Sequence, residues 1–318
     1  MPLGFLAACF FKALTIPSSS FDMPDLVFGT GGRFGRLSIT LSTRLVSYAI
    51  DHGIRYFDTG FEYCSRRSQV LLFDILDNNK YLLDSSVYVS TKFPVPQKSG
   101  ELTALVNSSL SKLSCRDYLD AIFLWGPSLY DLDYDFIFDE LAVLKKTGKI
   151  RSWGINTHCS KVMSGIIDRT YKLRLDHIML DYNLLQQDRE PFISAFFDQG
   201  ICVWAGTVLC QGFLSQSLVE LFLRTRSISY LARAFLQPST RRFLVPGRIM
   251  RANLKTLDPE YAKNVPLAFV AANPYVSKIS IGMLSSSSIQ TNLHVIRNPP
   301  KSSLLYRASK LALSHSLF

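Results

Sequence analysis

Gly53-Ile54-Arg55-Tyr56-Phe57-Asp58-Thr59 is a short run of apolar, β-forming residues that ends on a carboxylate. Similar runs recur along the chain, and stretches with apolar residues three and four positions apart lie between them. This alternation is typical of βαβ units and a parallel sheet. We predict eight strands, at Leu26–Gly29, Ile54–Asp58, Val87–Lys92, Ala121–Trp125, Ile150–Ile155, His177–Leu180, Ile201–Ala205 and Lys278–Gly282. Eight strands close an α/β fold into a (β/α)8 TIM barrel.

A doubly wound open sheet is the alternative to the barrel. Such sheets that bind dinucleotides carry a G-x-G-x-x-G turn after the first strand. The chain has no such turn after Leu26–Gly29. Its absence favours the barrel.

The composition indicates one domain. The chain has 318 residues, 47% of them hydrophobic and 19% charged, and we find no linker, repeat or low-complexity block that would divide it. We therefore predict a single domain over residues 1–318, with residues 1–25 as an N-terminal extension. Met1–Ile16 is apolar but lacks a basic start and is shorter than the roughly 20 residues that span a bilayer. A cleaved signal is therefore disfavoured.

The six cysteines show no CxxC pair and no metal-ligand spacing. This usage is typical of reduced cysteines in a cytoplasmic protein. We expect a cytoplasmic location, no disulfide framework and no metal site.

The net charge of +10 is concentrated in one stretch. The arginines of this stretch are Arg224, Arg226, Arg233, Arg241, Arg242, Arg248 and Arg251, and no Asp or Glu lies among them. A nucleic acid, an acidic membrane surface or a phosphorylated small molecule would each suit this charge. A solvated basic helix or loop is the alternative that involves no ligand.

Polar and aromatic residues gather where the predicted strands end. In a barrel, the C-terminal strand ends and the loops after them form the mouth where active sites lie. Here they supply Asp58, Lys92, Trp125 and the loop residue Tyr63. A lysine ammonium close to a tyrosine favours the phenolate and lowers the pKa of the hydroxyl, and a paired carboxylate keeps the lysine charged. Such a group can protonate a carbonyl oxygen as hydride from a cofactor reaches the carbon.

The order and spacing of several motifs resemble the aldo-keto reductase family. The motifs are Phe28-Gly29-Thr30-Gly31-Gly32, Gly53–Thr59 with Tyr63, Ser90-Thr91-Lys92, Asp117-Tyr118-Leu119-Asp120, Gly148-Lys149-Ile150-Arg151, Tyr182-Asn183-Leu184-Leu185 and Gln211-Gly212-Phe213-Leu214. The resemblance runs from about Leu26 to Asn292. It implies a barrel whose catalytic aspartate, tyrosine and lysine are Asp58, Tyr63 and Lys92, with Tyr63 as general acid/base.

The fourth catalytic position departs from the family. Where the family usually has histidine at the end of the fourth strand, this chain reads Phe123-Leu124-Trp125-Gly126-Pro127. The indole of Trp125 can donate one hydrogen bond but cannot exchange a proton near neutral pH. Its bulk would also narrow the space for a substrate carbonyl. His158, just after the fifth strand, is either a replacement imidazole or an ordinary loop histidine.

The resemblance also implies a binding site for a nicotinamide dinucleotide, NADP(H) in preference to NAD(H). Its residues are Gly29, Thr30, Gly31, Asp58, Asn156, Thr157, Gly206, Thr207, Leu209, Gly282, Ser285, Ser286 and Asn292. Three of the expected contacts are altered: Asn156-Thr157 stands at a family Ser-Asn pair, Met179 at a family glutamine, and Gly206 at an aromatic that stacks on the nicotinamide. The hydroxyls of Ser285–Ser288 suit a capped helix whose N-terminus receives phosphate.

The resemblance therefore implies an NAD(P)(H)-dependent oxidoreductase acting on the carbonyl or alcohol of a small substrate. The arginine-rich stretch suggests, as a hypothesis, that this substrate is anionic or sugar-like. Two alternatives stay open: a barrel that only binds or regulates, and a non-redox elimination or isomerisation. The arginine-rich stretch would be an insertion at residues 215–257 over the barrel mouth. We expect a small-molecule substrate and the dinucleotide as partners, and neither nucleic acid nor a membrane.

Overall fold

The computed structural model describes residues 23–79, 86–169, 173–225 and 235–314. Eight parallel strands form a closed barrel in chain order, with β1 paired to both β2 and β8. The strands are β1 (Asp25–Gly29), β2 (Tyr56–Asp58), β3 (Tyr88–Pro94), β4 (Leu119–Trp125), β5 (Ile150–Thr157), β6 (His177–Asp181), β7 (Cys202–Gly206) and β8 (Lys278–Gly282). The predicted (β/α)8 barrel and its eight strands are confirmed.

Helices surround the barrel. They are α1 (Ile39–Asp51), α2 (Arg67–Asn78), α3 (Glu101–Leu110), α4 (Asp135–Lys146), α5 (Ser160–Ile167), α6 (Glu190–Asp198), α7 (Leu218–Thr225), α8 (Pro238–Arg241), α9 (Leu244–Leu257), α10 (Val265–Ala271), α11 (Ser286–Arg297) and α12 (Ser302–Ser314). Among the described residues one of these α-helices follows each of β1 to β6, whereas α7 to α10 all lie between β7 and β8.

The strand bounds differ from the predicted ones by a few residues. β2 begins at Tyr56 rather than Ile54, because the Ile54 amide donates to Ala49 O at 2.9 Å in the turn that ends α1. Gly53 makes this turn with φ of +92°, a conformation that side chains with a Cβ rarely adopt. β5 continues two residues beyond its predicted end, and its last residue, Thr157, pairs with Leu180 of β6.

The hydrophobic core has two parts. The larger part lies between the strands and the surrounding helices. The smaller part fills the inside of the barrel and consists of Val27, Ala121, Phe123, Met179 and Trp204. Because this inner layer is packed with side chains, it separates the C-terminal mouth of the barrel from its N-terminal end.

The predicted insertion at residues 215–257 contains helices α7, α8 and α9. Arg242 reaches the barrel and pairs with Asp181 at the end of β6, at 3.2 Å. Arg251 instead donates to the carbonyl of Phe213. Residues 1–22 of the predicted extension, together with Arg226 and Arg233, lie outside the described residues.

Candidate active site

Asp58, Tyr63 and Lys92 come together at the C-terminal mouth. Asp58 ends β2, Lys92 lies on β3, and both are almost fully buried. The Lys92 ammonium forms an ion pair with Asp58 Oδ2 and donates to Thr59 O at 3.3 Å. It also lies 5.3 Å from the centre of the Tyr63 ring. The geometry therefore joins a carboxylate, an ammonium and a phenol in one group.

Two serines complete the hydrogen bonding of the Asp58 carboxylate. Ser90 Oγ donates to Oδ1 at 2.9 Å, and Ser280 Oγ donates to Oδ2 at 3.4 Å. Ser90 is the register partner of Asp58 across β2 and β3. With Lys92 as its ionic partner, the carboxylate is held from several directions, which satisfies a charge that burial would otherwise make costly.

Burial has the largest effect on the pKa of Tyr63. Desolvation raises the pKa of Tyr63 above its ordinary value of 10; the Lys92 charge opposes this rise, and the Asp58 charge adds to it. The expected lowering by Lys92 is thus present but is outweighed. For Lys92, burial alone would lower the pKa, but the charges of Asp58 and Tyr63 raise it overall. Near neutral pH the group therefore holds a protonated phenol beside a charged ammonium.

A glycine allows Tyr63 to approach the strand ends. A Cβ placed on Gly60 would lie 3.0 Å from three atoms of the Tyr63 ring, which is tighter than ordinary packing. A Cβ on Gly31 would lie 3.5 Å from the same ring, in ordinary contact. The carbonyl of Asp58 accepts from both Thr30 N at 2.8 Å and Thr30 Oγ1 at 3.1 Å. The loop after β1 is thereby fixed beside the tyrosine.

Trp125, at the end of β4, packs against Tyr63. The ring centroids are 5.7 Å apart and the ring planes meet at 84°, an edge-to-face contact. Trp125 is partly exposed, and it pairs in register with Asn156 of β5. The indole therefore borders the phenol of Tyr63.

Asn156 and Thr157 end β5 and are both buried. Asn156 Nδ2 donates to Met179 O at 3.2 Å, and Thr157 Oγ1 accepts from Cys159 N at 3.2 Å. Met179 is itself buried in the inner layer of the barrel. At this part of the mouth the two polar side chains are therefore satisfied by backbone groups.

A second charged group lies at the ends of β5, β6 and β7. The buried Asp181 carboxylate accepts from Thr207 Oγ1 at 2.6 Å and pairs with His158 Nδ1 at 3.0 Å and with Arg242 at 3.2 Å. Burial alone would raise the pKa of Asp181, but the hydrogen bonds from His158 and Thr207 and the charge of Arg242 lower it overall. His158, predicted as a candidate imidazole, is thus oriented by a carboxylate.

The residues predicted to hold the cofactor surround the same mouth. Gly29 pairs in register with both Asp58 and Gly282. A Cβ on Gly282 would meet nothing closer than 3.8 Å, and one on Gly206 nothing closer than 3.6 Å. A Cβ at either glycine would therefore be in ordinary contact with its neighbours. Leu209, in the loop after Thr207, is partly buried against the core.

Helix α11 begins beside Gly282. Ser285 caps it, because its hydroxyl accepts from Ser288 N at 3.2 Å while Ser288 Oγ accepts from Ser285 N. The helix therefore starts within the serine run, at Ser286. Asn292 is buried on its inner side. The first-turn amides of this helix suit an anionic group.

Several residues of the mouth were not singled out from the sequence. Two of them, Ser90 and Ser280, hydrogen-bond the carboxylate of Asp58. The other two are Asp181 and Arg242, which form an ion pair. Ser90 is the first residue of the Ser90-Thr91-Lys92 motif, but its hydrogen bond to Asp58 was not predicted. Arg242 was noted only as part of a charged stretch.

Across the described residues, no group of three or more His, Cys, Asp or Glu side chains could hold a metal ion. In the same part of the chain no helix is both long and apolar enough to cross a membrane. The described cysteines, Cys64, Cys115, Cys159, Cys202 and Cys210, are free.

Comparison with known proteins identifies the family. The model of the aldo/keto reductase family matches residues 25–227, which include β1 to β7 and the Asp58, Tyr63 and Lys92 group. The chain belongs to the aldo/keto reductase family. This aldo/keto reductase is 20% identical over 262 residues to the uncharacterized oxidoreductase YqkF of Bacillus subtilis, covering 78% of this chain and 80% of that protein.

Solved structures share the fold. The holo form of an aldo-keto reductase from Bacillus halodurans matches with a TM-score of 0.68 and 18% identity, over 93% of this chain and 94% of that one. An aldo/keto reductase from Klebsiella pneumoniae, in complex with NADP and acetate, also gives a TM-score of 0.68, with 17% identity over 91% and 92% of the two chains. At such identities the likeness shows the barrel alone.

Proposed function

We propose that this aldo/keto reductase is an NAD(P)(H)-dependent oxidoreductase that interconverts the carbonyl and alcohol forms of a small substrate. The observation that carries the proposal is the buried ion pair of Lys92 with Asp58 beside the Tyr63 phenol. A buried charge pair at a strand end is costly unless it is well satisfied, and such groups gather at functional sites.

In the reduction direction, Tyr63 O–H donates its proton to the carbonyl oxygen. The raised pKa of Tyr63, which results first from burial, keeps this proton on the phenol near neutral pH. As the proton leaves, the Lys92 ammonium stabilises the developing phenolate. Asp58 keeps Lys92 charged and oriented, and Ser90 and Ser280 hold Asp58. In the oxidation direction the same residues act in reverse.

The residues around the mouth suit a nicotinamide dinucleotide. When bound, this cofactor supplies or accepts the hydride. Gly206 and Gly282 place no side chain over the strand ends, and the capped start of α11 offers amides for phosphate. Gly29, Thr30 and Gly31 line the loop next to Tyr63, while Asn156, Thr157, Thr207 and Leu209 border the opposite side. Ser285, Ser286 and Asn292 belong to the phosphate end.

NADP(H) is the proposed form of the cofactor, in preference to NAD(H). The Klebsiella pneumoniae relatives were crystallised with NADP and NADPH, which supports this choice. The guanidinium of Arg242 and the imidazole of His158 are about half exposed at the mouth around Asp181, which suits an anionic or sugar-like substrate.

Titration of the purified protein with NADPH and NADH tests the proposal. We expect saturable quenching of protein fluorescence, at lower concentrations of NADPH than of NADH. Tyr63→Phe should keep this binding and lower turnover by about 10² to 10⁴-fold. Tyr134→Phe, at an exposed tyrosine of the loop before α4, is the matched control and should change neither. Failure of both dinucleotides to bind would refute the proposal.

A second candidate is a barrel that binds ligands without redox turnover. The contact between Trp125 and Tyr63 favours it, because the indole occupies space beside the proton donor. In that case Tyr63→Phe would change no reaction rate, since there would be none to change. A rate that persists with no change in cofactor absorbance would instead indicate elimination or isomerisation.

A further inference from the structure

A cavity of about 390 Å³ lies at the N-terminal end of the barrel, opposite the proposed active site. Residues that begin the strands line it, among them Tyr56, Tyr88, Arg151, His177 and Trp204. The inner layer of the barrel separates it from the mouth. Its volume is within the range of small-molecule sites, at the lower end.

Aromatic rings form one side of this N-terminal cavity. Tyr56 and Tyr88 are stacked, with ring centroids 4.7 Å apart and planes 14° from parallel. Trp204 meets Tyr56 edge-on at 6.5 Å. Tyr88 is 39% exposed, so part of its ring is available for contact. This side therefore offers a flat aromatic surface.

A fixed, uncharged chain of hydrogen bonds continues from Trp204 along the cavity wall. Trp204 Nε1 can only donate, so His177 Nδ1, 3.4 Å away, accepts from it. His177 Nε2 then carries the proton and donates to Ser152 Oγ at 2.9 Å, and Ser152 Oγ donates to Asp120 O at 2.7 Å. Burial lowers the pKa of His177 to about 4, which agrees with a neutral ring. The wall is therefore preorganised.

The charges around the rim are paired. Lys278 binds Asp25 at 2.7 Å, Arg151 binds Asp120 at 3.0 Å, and Asp176 binds Lys145 at 2.8 Å. A charged ligand would have to compete with these pairs. An uncharged ligand would not, and its polar edge could still use the exposed guanidinium of Arg151.

The cavity reaches toward the active site at Ser90. This serine lines the cavity and donates to Asp58 Oδ1 at 2.9 Å. A molecule that contacts Ser90 in the cavity would therefore be separated by this one side chain from the Asp58 carboxylate, which holds Lys92.

We propose that the N-terminal cavity binds an uncharged, planar heteroaromatic molecule. Its ring contacts Tyr88 and Trp204, and its polar edge faces Arg151. The volume fits a ring system of about the size of a nucleobase. This site lies at the other end of the barrel from the mouth; of the residues that line it, Ser90 also belongs to the proposed active site, where it holds Asp58.

Fluorine NMR of the full chain carrying 5-fluorotryptophan tests the proposal. The three tryptophans report on different places: Trp125 at the mouth, Trp153 in the outer core and Trp204 in the cavity. The probe is free 2-aminopurine, and Trp204→Phe assigns the cavity signal. We expect a saturable shift of the Trp204 signal, while the Trp125 and Trp153 signals stay in place.

Two comparisons make the test specific. Tyr88→Ala should weaken binding of 2-aminopurine about fivefold, whereas Tyr134→Ala, at an exposed tyrosine outside the cavity, should leave it unchanged. Adenosine monophosphate, which is anionic, should not shift Trp204. The proposal is wrong if Trp204 does not shift, if Trp125 shifts in its place, if Tyr88→Ala binds as tightly, or if the anionic probe shifts Trp204 equally.

Discussion

Trp125 lies edge-on against Tyr63, with ring centroids 5.7 Å apart. The proposed proton donor therefore has an apolar neighbour where the family usually has an imidazole. An indole N–H can donate a hydrogen bond to a substrate, but it cannot exchange a proton near neutral pH. The contact thus limits the room for a substrate beside Tyr63, and it places there a group that cannot take part in proton transfer.

Trp125→His should increase carbonyl reduction. The smaller imidazole would open the space beside Tyr63 and add a second hydrogen-bonding group. We expect kcat/KM for a small aldehyde with NADPH to rise about tenfold or more. Trp125→Phe, which removes the N–H and adds no imidazole, is the control and should give a smaller gain. An unchanged or lower kcat/KM for Trp125→His would show that the indole itself serves the reaction.

Gly206→Phe should tighten binding of the dinucleotide. A Cβ at Gly206 meets nothing closer than 3.6 Å, so a side chain can be added without a backbone clash. An aromatic ring at this strand end would offer a stacking surface, which we expect to lower the Kd for NADPH about fivefold in a fluorescence titration. Gly206→Ala adds the Cβ without the ring, and its Kd should stay at the wild-type value. Equal effects of the two variants would rule out stacking.

The sequence predicted the barrel and the Asp58, Tyr63 and Lys92 group because both depend on local patterns. Apolar runs mark the strands, and strand ends share one mouth. It could not predict the pairing of Asp181 with Arg242, which lie 61 positions apart and meet only through the way the insertion folds back.

Properties that depend on burial were also out of reach of the sequence. The spacing of Lys92 and Tyr63 suggested a lowered pKa for the phenol, yet desolvation reverses that direction. Likewise, the N-terminal cavity exists because the side chains of the inner layer leave space at the strand starts, and periodicity carries no information on such a void.

Ionisation of Glu190 should make the protein less stable as the pH rises from about 4.5 to about 7. Burial raises the pKa of Glu190 from its ordinary 4.5 to about 7, although the Tyr182 hydroxyl, 2.7 Å away, opposes this rise. The folded state thus holds a proton that the unfolded state releases above about pH 4.5. The contribution of this proton to the free energy of unfolding is complete below that pH and is lost as the pH rises to about 7. The loss is at most about 3 kcal/mol.

Urea unfolding of wild type and Glu190→Gln at pH 5 and pH 8 checks this expectation. Glutamine keeps an acceptor for Tyr182 and cannot ionise, so the variant should lose less unfolding free energy between the two pH values. Glu260→Gln, at an exposed site, is the matched control and should follow wild type. Parallel losses in Glu190→Gln and wild type would contradict the expectation.

Protonation of His177 should make the protein less stable as the pH falls from about 6.5 to about 4. Burial lowers the pKa of His177 from 6.5 to about 4, so below pH 6.5 the unfolded chain takes up a proton that the folded state does not. Stability from this group is complete above about pH 6.5 and is lost as the pH falls to about 4, by at most about 3 kcal/mol. His177→Gln keeps an acceptor for Trp204 and should remove this part of the loss in urea unfolding at pH 7 and pH 4.5. His294→Gln, at an exposed histidine of α11, is the control and should lose as much unfolding free energy as wild type. An equally large loss in His177→Gln would show that His177 is not the titrating group.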